Sequence, residues 1–178
     1  VATIPGAVIG FVFEDVIEHF VRGNVVIISI LLAVMGVLIY LGDKWSEKKY
    51  KNPVKYEDMT FKQTFIIGLS QALAVIPGFS RSGTTILAAR LMGISREAAA
   101  KFTFLLSTPI IFGAAVLKIK DLLVGFDTTI LVGIITAAIV GVLSIKFLLK
   151  YIKKNDFAVF AYYRVIFAII IIVTYFIR

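Results

Sequence analysis

The sequence predicts an all-α integral membrane protein, a multi-spanning helical bundle that contains a re-entrant helix hairpin. Of the 178 residues, 60% are hydrophobic and the mean hydropathy is +0.96, which is far too apolar for a soluble domain. Several apolar runs approach or reach the roughly 20 residues that a helix needs to cross the hydrocarbon core. Two shorter apolar pieces flank Pro77-Gly78, a pattern typical of a hairpin that enters and leaves a membrane on one side.

Four apolar segments are predicted to span the membrane. They cover residues 25–41, 98–117, 128–149 and 157–177. Residues 2–13 are apolar but too short to cross, and we interpret them as the outer end of a further helix. The glycines at 36–42, 113, 125, 133 and 141 are expected to serve helix packing. Residues 1–178 are therefore interpreted as a single membrane domain.

The distribution of charge predicts the topology. The net charge of +8 does not indicate a nucleic acid partner, because the basic residues collect in short loops between the apolar runs. Residues 43–62 carry six Lys and four acids and are expected to form a solvated loop, and a second Lys-rich connection follows residue 145. Both loops are expected on the cytoplasmic side. The two loops can lie on the same side only if the segment between them at about residues 61–94 forms a re-entrant hairpin, which does not cross the membrane.

Composition excludes several kinds of site. The chain has no Cys and a single His, His19, so a thiolate nucleophile, a disulfide framework and a multi-histidine metal centre are all excluded. His19 is interpreted as an ordinary surface histidine in preference to a general base. The chain opens with Val1-Ala2, without an initiator Met or a signal-peptide pattern, and we expect it to be the C-terminal part of a longer protein.

The stretch that predicts chemistry is residues 77–86, PGFSRSGTTI, which sets Arg81 between Ser80 and Ser82 in a very apolar protein. An ionisable residue in such surroundings indicates a functional site. Pro77-Gly78 is expected to stop the preceding helix and Ser82 to cap the next one. Hydroxyls, a guanidinium and free backbone N–H groups then converge on one helix N-terminus, which is typical of a phosphate site.

Each residue type in this predicted site has a chemical reason to be there. Arg81 offers a planar bidentate fork to phosphate oxygens, and Gly83 lets the backbone approach the ligand closely. The predicted phosphate-binding residues are Ser80, Arg81, Ser82, Gly83, Thr84 and Thr85. The structural alternative is that Arg81 caps a neighbouring helix. Arg164, inside the last span, is expected to snorkel to the inner interface, with a role in the site as the alternative.

The ten-residue motif resembles that of the bacitracin-resistance family of undecaprenyl-diphosphatases. Further segments resemble the family in the same order, at residues 3–10, 57–60, 91–96, 102–109 and 157–164. The resemblance covers nearly the whole chain. It implies an enzyme of the bacterial cell membrane that hydrolyses undecaprenyl diphosphate to undecaprenyl phosphate and inorganic phosphate. That activity recycles the lipid carrier for peptidoglycan synthesis and confers bacitracin resistance.

The resemblance also implies a homodimer with two inverted repeats, each contributing a re-entrant hairpin to a site on the extracytoplasmic side. This chain would be the second half of that architecture. The second-repeat motif matches at Ser80, Arg81, Ser82, Gly83 and Thr85. The first-repeat motif, with its glutamates, serine-rich turn and histidine, is absent, and its place would be upstream of Val1. Half an active site is therefore expected, with the metal ligands in the other half.

The expected mechanism is hydrolysis of a phosphoanhydride assisted by Mg²⁺ or Ca²⁺, a cofactor implied by the resemblance. The expected catalytic residues are Arg81, which holds the diphosphate and stabilises charge, and the hydroxyls of Ser80, Ser82 and Thr85, with the amides of residues 84–86 as further donors. The nucleophile stays open among Ser, His and metal-bound water. The alternative from another class is a transporter or flippase of a polyprenyl phosphate lipid. A purely structural subunit would leave the Ser-Arg-Ser sequence unexplained.

Overall fold

The computed structural model describes residues 23–119 and 127–177, together with residues 2–4, 6, 8, 9 and 12. Over residues 23–119 and 127–177 it contains six α-helices and no strand. They are α1 (Val25–Lys49), α2 (Phe61–Ser70), α3 (Arg81–Leu91), α4 (Arg96–Leu117), α5 (Thr128–Ile152) and α6 (Ala158–Ile177). The predicted helix at residues 2–13 lies largely outside the described residues, and His19 lies outside them entirely.

Helices α1, α4, α5 and α6 are long and apolar enough to cross a membrane. They agree with the four predicted spans to within three residues at every end except the C-terminal end of α1. The prediction of an all-α, multi-pass membrane protein is therefore confirmed. Side-chain caps set where several of these helices begin: Asn24 accepts a hydrogen bond from the Ile27 amide over 3.1 Å, and Ser95 accepts one from the Ala98 amide over 3.2 Å.

Helix α1 is longer than the apolar run that predicted it. It continues to Lys49, so the first residues of the expected solvated loop are helical. Asp43 and Ser46 are buried against neighbouring helices, which explains why the chain remains ordered beyond the apolar run. Lys48 and Lys49 occupy the last turn, where positive charge is favourable to the helix dipole.

Two glycines allow α1 to pack closely on its neighbours, as the glycine tract predicted. A Cβ on Gly36 would lie 3.2 Å from the carbonyl oxygen of Ala161 in α6, and one on Gly42 would collide with Leu87 in α3. For three other glycines, the described residues do not support this expectation. Among the described residues, no neighbouring atom lies within 4 Å of where a Cβ would stand on the glycines at 113, 133 and 141, and the glycine at 125 lies outside the described part of the chain.

Helices α2 and α3 form a hairpin whose two ends are bonded to each other. The Val54 amide donates to the carbonyl of Gly93 over 2.9 Å, and the Ser95 amide donates to the carbonyl of Val54 over 2.9 Å. The α-helix ends at Ser70, earlier than Pro77-Gly78 predicted, and a 3₁₀ turn at Gln71–Val75 continues the helical backbone until just before that dipeptide. The chain therefore enters and leaves this hairpin at the same end of the bundle. Its depth in a bilayer stays a prediction.

The tip of the hairpin packs against α1. Gly78 has a φ of +95°, a conformation that residues with a Cβ rarely adopt, and a Cβ there would lie 2.6 Å from the carbonyl oxygen of Ile28. Ile28 lies in the first turn of α1, opposite its Lys-rich end. The tip thus reaches most of the way along α1.

Both Lys-rich connections lie at one end of the bundle. Lys44 in α1 pairs with Asp156, between α5 and α6, over 2.8 Å. Lys153 pairs with Glu97 in the first turn of α4 over 2.9 Å. The charge distribution predicted that these connections share a side, and this juxtaposition supports it.

Candidate functional site

The predicted site lies at the N-terminus of α3, and Ser80 caps that helix. The Ser80 hydroxyl accepts a hydrogen bond from the Gly83 amide over 3.2 Å, and its carbonyl accepts one from the Thr84 amide over 2.9 Å. The prediction that Ser82 is the cap was wrong, because α3 begins at Arg81 and Ser82 already lies within its first turn.

The free amides also differ from the predicted ones. Because Ser80 satisfies the amides of Gly83 and Thr84, the N–H groups without an acceptor among the described residues are those of Arg81 and Ser82. The expected donors at residues 84–86 were wrong, since the Thr84 amide is bonded to Ser80 and the next two lie inside the helix. Two donors are therefore left at the end of the helix, where an anion is favoured.

Arg81 is exposed at this helix end. Within the part of the chain that the structure describes, its side chain has no hydrogen bond or ion pair, so the alternative that it caps a neighbouring helix finds no support. Ser82 is also exposed, and its hydroxyl lies 3.1 Å from that of Ser80. The first turn of α3 thus presents a guanidinium, two hydroxyls and two amides together.

Thr84 and Thr85 lie behind this surface. Both are buried, and the Thr84 hydroxyl donates to the carbonyl of Arg81 over 2.9 Å. The Thr85 hydroxyl is within 3.0 Å of that of Thr103 in α4, and within 3.2 Å of the carbonyls of Arg81 and Ser82. These contacts fasten the first turn of α3 and connect it to α4.

Arg164 lies beside the same turn, contrary to the expectation that it snorkels to the inner interface. Its Nη1 is 3.3 Å from the position that a Cβ on Gly83 would occupy. Arg164, Gly83 and Ser82 line one cavity of about 160 Å³. The sequence signal for this was weak, a lone Arg in an apolar span, and nothing in the sequence said which helix it faces.

No carboxylate of the described residues forms an ion pair or a hydrogen bond with Arg81. Most of these carboxylates lie towards the Lys-rich end of the bundle: Asp43, Glu47, Glu57, Asp58, Glu97 and Asp156. Asp127 caps α5. Among the residues described, no group of three or more His, Cys, Asp or Glu side chains could hold a metal ion. The residues around Arg81 therefore do not fit a Mg²⁺ or Ca²⁺ ion by themselves.

Sequence reasoning missed a buried ion cluster at the base of the hairpin. Asp43 in α1 accepts hydrogen bonds from Nε of Arg90 in α3 over 2.7 Å and from Nε of Arg96 in α4 over 2.9 Å. Arg90 also donates to the carbonyl of Ile94. The sequence did contain a signal for this cluster, because Arg90 interrupts an otherwise apolar segment. The cluster was missed because Asp43, the partner of Arg90, was expected in a solvated loop.

Comparison with known proteins identifies the family. The chain is 44% identical over 173 residues to an undecaprenyl-diphosphatase of Pelotomaculum thermopropionicum, covering 97% of this chain and 64% of that protein. It is 45% identical over 175 residues to one of Desulforudis audaxviator, covering 97% and 65%. The chain thus spans about two thirds of the length of these curated relatives. The family model described as Bacitracin resistance protein BacA matches residues 1–170, and the chain belongs to that family.

Proposed function

We propose that the protein containing this chain hydrolyses undecaprenyl diphosphate to undecaprenyl phosphate and inorganic phosphate. The observation that carries the proposal is the first turn of α3, where Arg81 and two backbone amides, which have no partner among the described residues, lie beside two hydroxyls. The names of the relatives support the lipid diphosphate as substrate. The product is the carrier lipid of peptidoglycan synthesis, and its recycling accounts for resistance to bacitracin.

The roles of the residues follow from the charge that the reaction moves. Water adds its oxygen to the terminal phosphorus, and the bond from that phosphorus to the bridging oxygen breaks, so negative charge develops on the lipid phosphate. Arg81 binds the diphosphate and neutralises this charge, with the Arg81 and Ser82 amides and the Ser82 hydroxyl as further donors. Ser80 holds the turn through its cap, and Thr85 positions it against α4.

Arg81 cannot be the general base, because a guanidinium stays protonated. The base must therefore come from another group. A requirement for Mg²⁺ or Ca²⁺, proposed from the family resemblance, would have to be met by carboxylates outside the described residues. The roles assigned to Arg81 and the serines do not depend on that ion.

We further propose a location in the bacterial inner membrane, with the site on the extracytoplasmic side, and a homodimer. The orientation is supported by the hairpin, whose tip contacts Ile28 in α1, away from the Lys-rich end. The dimer is proposed from the family resemblance. The apolar side chains of α5, most of them exposed, offer a surface for lipid or for a second copy.

The test is phosphate release by the intact protein, purified and supplied with undecaprenyl diphosphate and a divalent cation. Wild-type protein should release phosphate over many turnovers, Arg81→Ala should release almost none, and Lys62→Ala should behave as wild type. Lys62 is an exposed cation at the start of α2, so it controls for the loss of one charge. Lipid transfer between leaflets without phosphate release would instead establish the flippase alternative.

A further inference from the structure

A wide cavity lies at the Lys-rich end of the bundle, and we call it the basal cavity. Its volume is about 860 Å³, within the roughly 300–1,000 Å³ of pockets that take up small molecules. Its main walls are the end of α1 with the connection to α2, the first turns of α4, and the end of α5. None of the residues of the proposed phosphate site lines it.

Cations dominate the lining of the basal cavity. Six of its side chains are basic and three are acidic. Each of these carboxylates has a cation close by: Glu47 lies 3.1 Å from Arg96, Glu97 lies 2.9 Å from Lys153, and Glu57 lies 4.0 Å from Lys101. Arg90 is paired with Asp43. The side chains of Lys51 and Lys55, by contrast, make no hydrogen bond or ion pair with the described residues, so two cations of the cavity are left uncompensated.

The backbone that carries these two lysines is held in place. Val54 donates through its amide to the carbonyl of Gly93 and accepts at its carbonyl from the amide of Ser95, each over 2.9 Å. The carbonyl of Lys55 accepts from the Asp58 amide over 3.2 Å. An anion that binds here therefore has to order side chains but not the loop itself, which lowers the entropic cost of binding.

The basal cavity lies at the depth of the lipid headgroups. Glu47, where α1 first lines the cavity, is roughly 9 Å along the helix axis from Leu41, the end of the apolar run. Ile152, which lines it from α5, is only roughly 4–5 Å beyond Leu149, where the apolar run of that helix ends. The headgroup layer extends roughly 5–8 Å beyond the hydrocarbon core on each side. The anion that this layer supplies is the phosphate of a lipid.

An anionic phospholipid matches the chemistry of the basal cavity. Its phosphate can accept charge-assisted hydrogen bonds from the two uncompensated lysines. Its acyl chains can stay in the hydrocarbon layer against exposed apolar side chains of α4 and α5, such as Leu105 and Phe147. A zwitterionic lipid brings its own cation to the phosphate and gains less from the lysines. A soluble phosphate lacks the apolar contacts.

We propose that the basal cavity binds the headgroup of an anionic phospholipid, with its phosphate on Lys51 and Lys55. Basic pockets between membrane helices are known to hold such headgroups. The inference goes beyond the proposed function and does not depend on it. A bound lipid joins the connection between α1 and α2 to α4 and α5, so it stabilises the folded bundle.

The test measures lipid binding to the intact protein in neutral detergent by native mass spectrometry, with melting temperature as a second readout. The probes are dioleoyl phosphatidylglycerol, the zwitterionic dioleoyl phosphatidylcholine, and glycerol phosphate, which has no acyl chains. The variant Lys51→Gln/Lys55→Gln removes both uncompensated cations. Its control, Lys62→Gln/Lys154→Gln, removes two exposed lysines at the same end of the bundle that do not line the cavity.

Wild-type protein should bind phosphatidylglycerol on the order of 10-fold more tightly than phosphatidylcholine. Lys51→Gln/Lys55→Gln should remove on the order of 10- to 30-fold of the affinity for phosphatidylglycerol, since one lysine at a lipid surface contributes about fivefold. The control should change that affinity by less than about twofold, because neutral detergent presents no charged surface to the other lysines. Phosphatidylglycerol should raise the melting temperature of the wild type more than that of Lys51→Gln/Lys55→Gln.

Glu57→Gln tests the same cavity in the opposite direction. Glu57 is exposed, and its contact with Lys101 is loose, so its replacement should free a third cation without disturbing the fold. Binding of phosphatidylglycerol should then become on the order of threefold tighter. This gain does not depend on how well Lys51→Gln/Lys55→Gln folds, which melting temperatures without lipid report.

Equal losses in the two double variants would show that any basic surface attracts the lipid, and would overturn the assignment to the basal cavity. So would an affinity that Glu57→Gln leaves unchanged. Equal binding of phosphatidylcholine would overturn the anionic headgroup, and equal binding of glycerol phosphate would overturn the lipid as ligand. Phosphate release is a separate measurement, so a failure of the proposed function would leave each of these outcomes readable.

Discussion

Arg90 donates a hydrogen bond from Nε to Oδ1 of Asp43 over 2.7 Å, and the two side chains are only 4% and 0% exposed. Arg96 Nη2 approaches the other carboxylate oxygen to 2.9 Å. One carboxylate therefore joins the end of the hairpin, the central helix α1 and the start of α4. The cluster fixes the base of the hairpin, while the proposed site lies at the other end of α3.

Asp43→Ala should destabilise the protein by about 3–5 kcal/mol, the usual effect of removing one partner from a buried ion pair. The reason is that two guanidinium groups would be left in a buried site without their carboxylate. Lys44→Ala is the matched control, because its pairs with Glu47 and Asp156 are exposed to solvent, which screens them, and its loss should cost much less stability. Reversible unfolding in mixed micelles measures both. Equal effects would contradict a structural role for the buried cluster.

Arg81→Lys should lose on the order of 10²–10³ in the rate of phosphate release, as replacement of one transition-state donor typically does. Lysine keeps the charge but not the planar fork that binds two phosphate oxygens at once. Because Arg81 is exposed and its side chain makes no hydrogen bond or ion pair with the described residues, the melting temperature should not change. A folded Lys variant with near-normal turnover would contradict the bidentate role.

Single Cys substitutions at Asn52 and Asn155 should react with an impermeant reagent from the same side of the membrane. The reason is the pairing of Lys44 with Asp156, which brings the two connections together. Gly23→Cys, at the opposite end of α1, should react from the other side, and a Cβ at Gly23 meets no atom within 4 Å among the described residues. Labelling of the Cys residues at positions 52 and 155 from opposite sides would show that the hairpin segment crosses the membrane, and would refute the re-entrant topology.

Gly78→Ala should destabilise the hairpin by at least about 1–2 kcal/mol, because its backbone has a positive φ. Its Cβ would also approach the Ile28 carbonyl to 2.6 Å, so the tip must shift and turnover should fall. Gly133→Ala provides the contrast, since Gly133 lies within α5, no atom of the described residues lies within 4 Å of the added Cβ, and the change should stabilise that helix by about 0.5–1 kcal/mol. The two variants should therefore move the melting temperature in opposite directions.

Acid should selectively weaken the contact between Lys44 and Asp156. The hydrogen bond from Lys44, and then that from the Ala158 amide, lower the pKa of Asp156 from its ordinary value of 3.8. A lowered folded-state pKa contributes stability that is present above pH 3.8 and is lost as the pH falls through the folded value. The difference in stability between wild type and Asp156→Asn should therefore be largest near neutral pH and shrink below about pH 4. A difference independent of pH would exclude this linkage.

Hydropathy predicted the four spans because the length of an apolar run is a local property of the sequence. The hairpin followed from one local signal, Pro77-Gly78, and from one count along the whole chain, the requirement that the two Lys-rich loops share a side. The burial of Asp43 could not be predicted in this way. A carboxylate that follows an apolar run looks like the start of a loop until its partners, Arg90 and Arg96, are known.

The sequence predicted which residues meet at the first turn of α3, but it did not predict their geometry. Arg81 and the two serines are brought together as expected, because they are neighbours in sequence. Which serine caps α3 depends on where the helix begins. It begins at Arg81, so Ser80 is the cap and Ser82 is not. The approach of Arg164 to Gly83 joins residues that are far apart in the chain, and no pattern along the sequence specifies such a contact.

The bonds of Val54 to Gly93 and Ser95 have a consequence for membrane insertion. Because both stems of the hairpin lie at the same end of the bundle, no hydrophilic loop has to be translocated when the hairpin enters, and only the short polar turn at Ser80, Arg81 and Ser82 moves inward with the tip. The hairpin can thus dock against α1 after the long helices have taken up their orientations, and its absence would leave those orientations unchanged. Assembly of the proposed phosphate site is then a packing step that follows the establishment of topology.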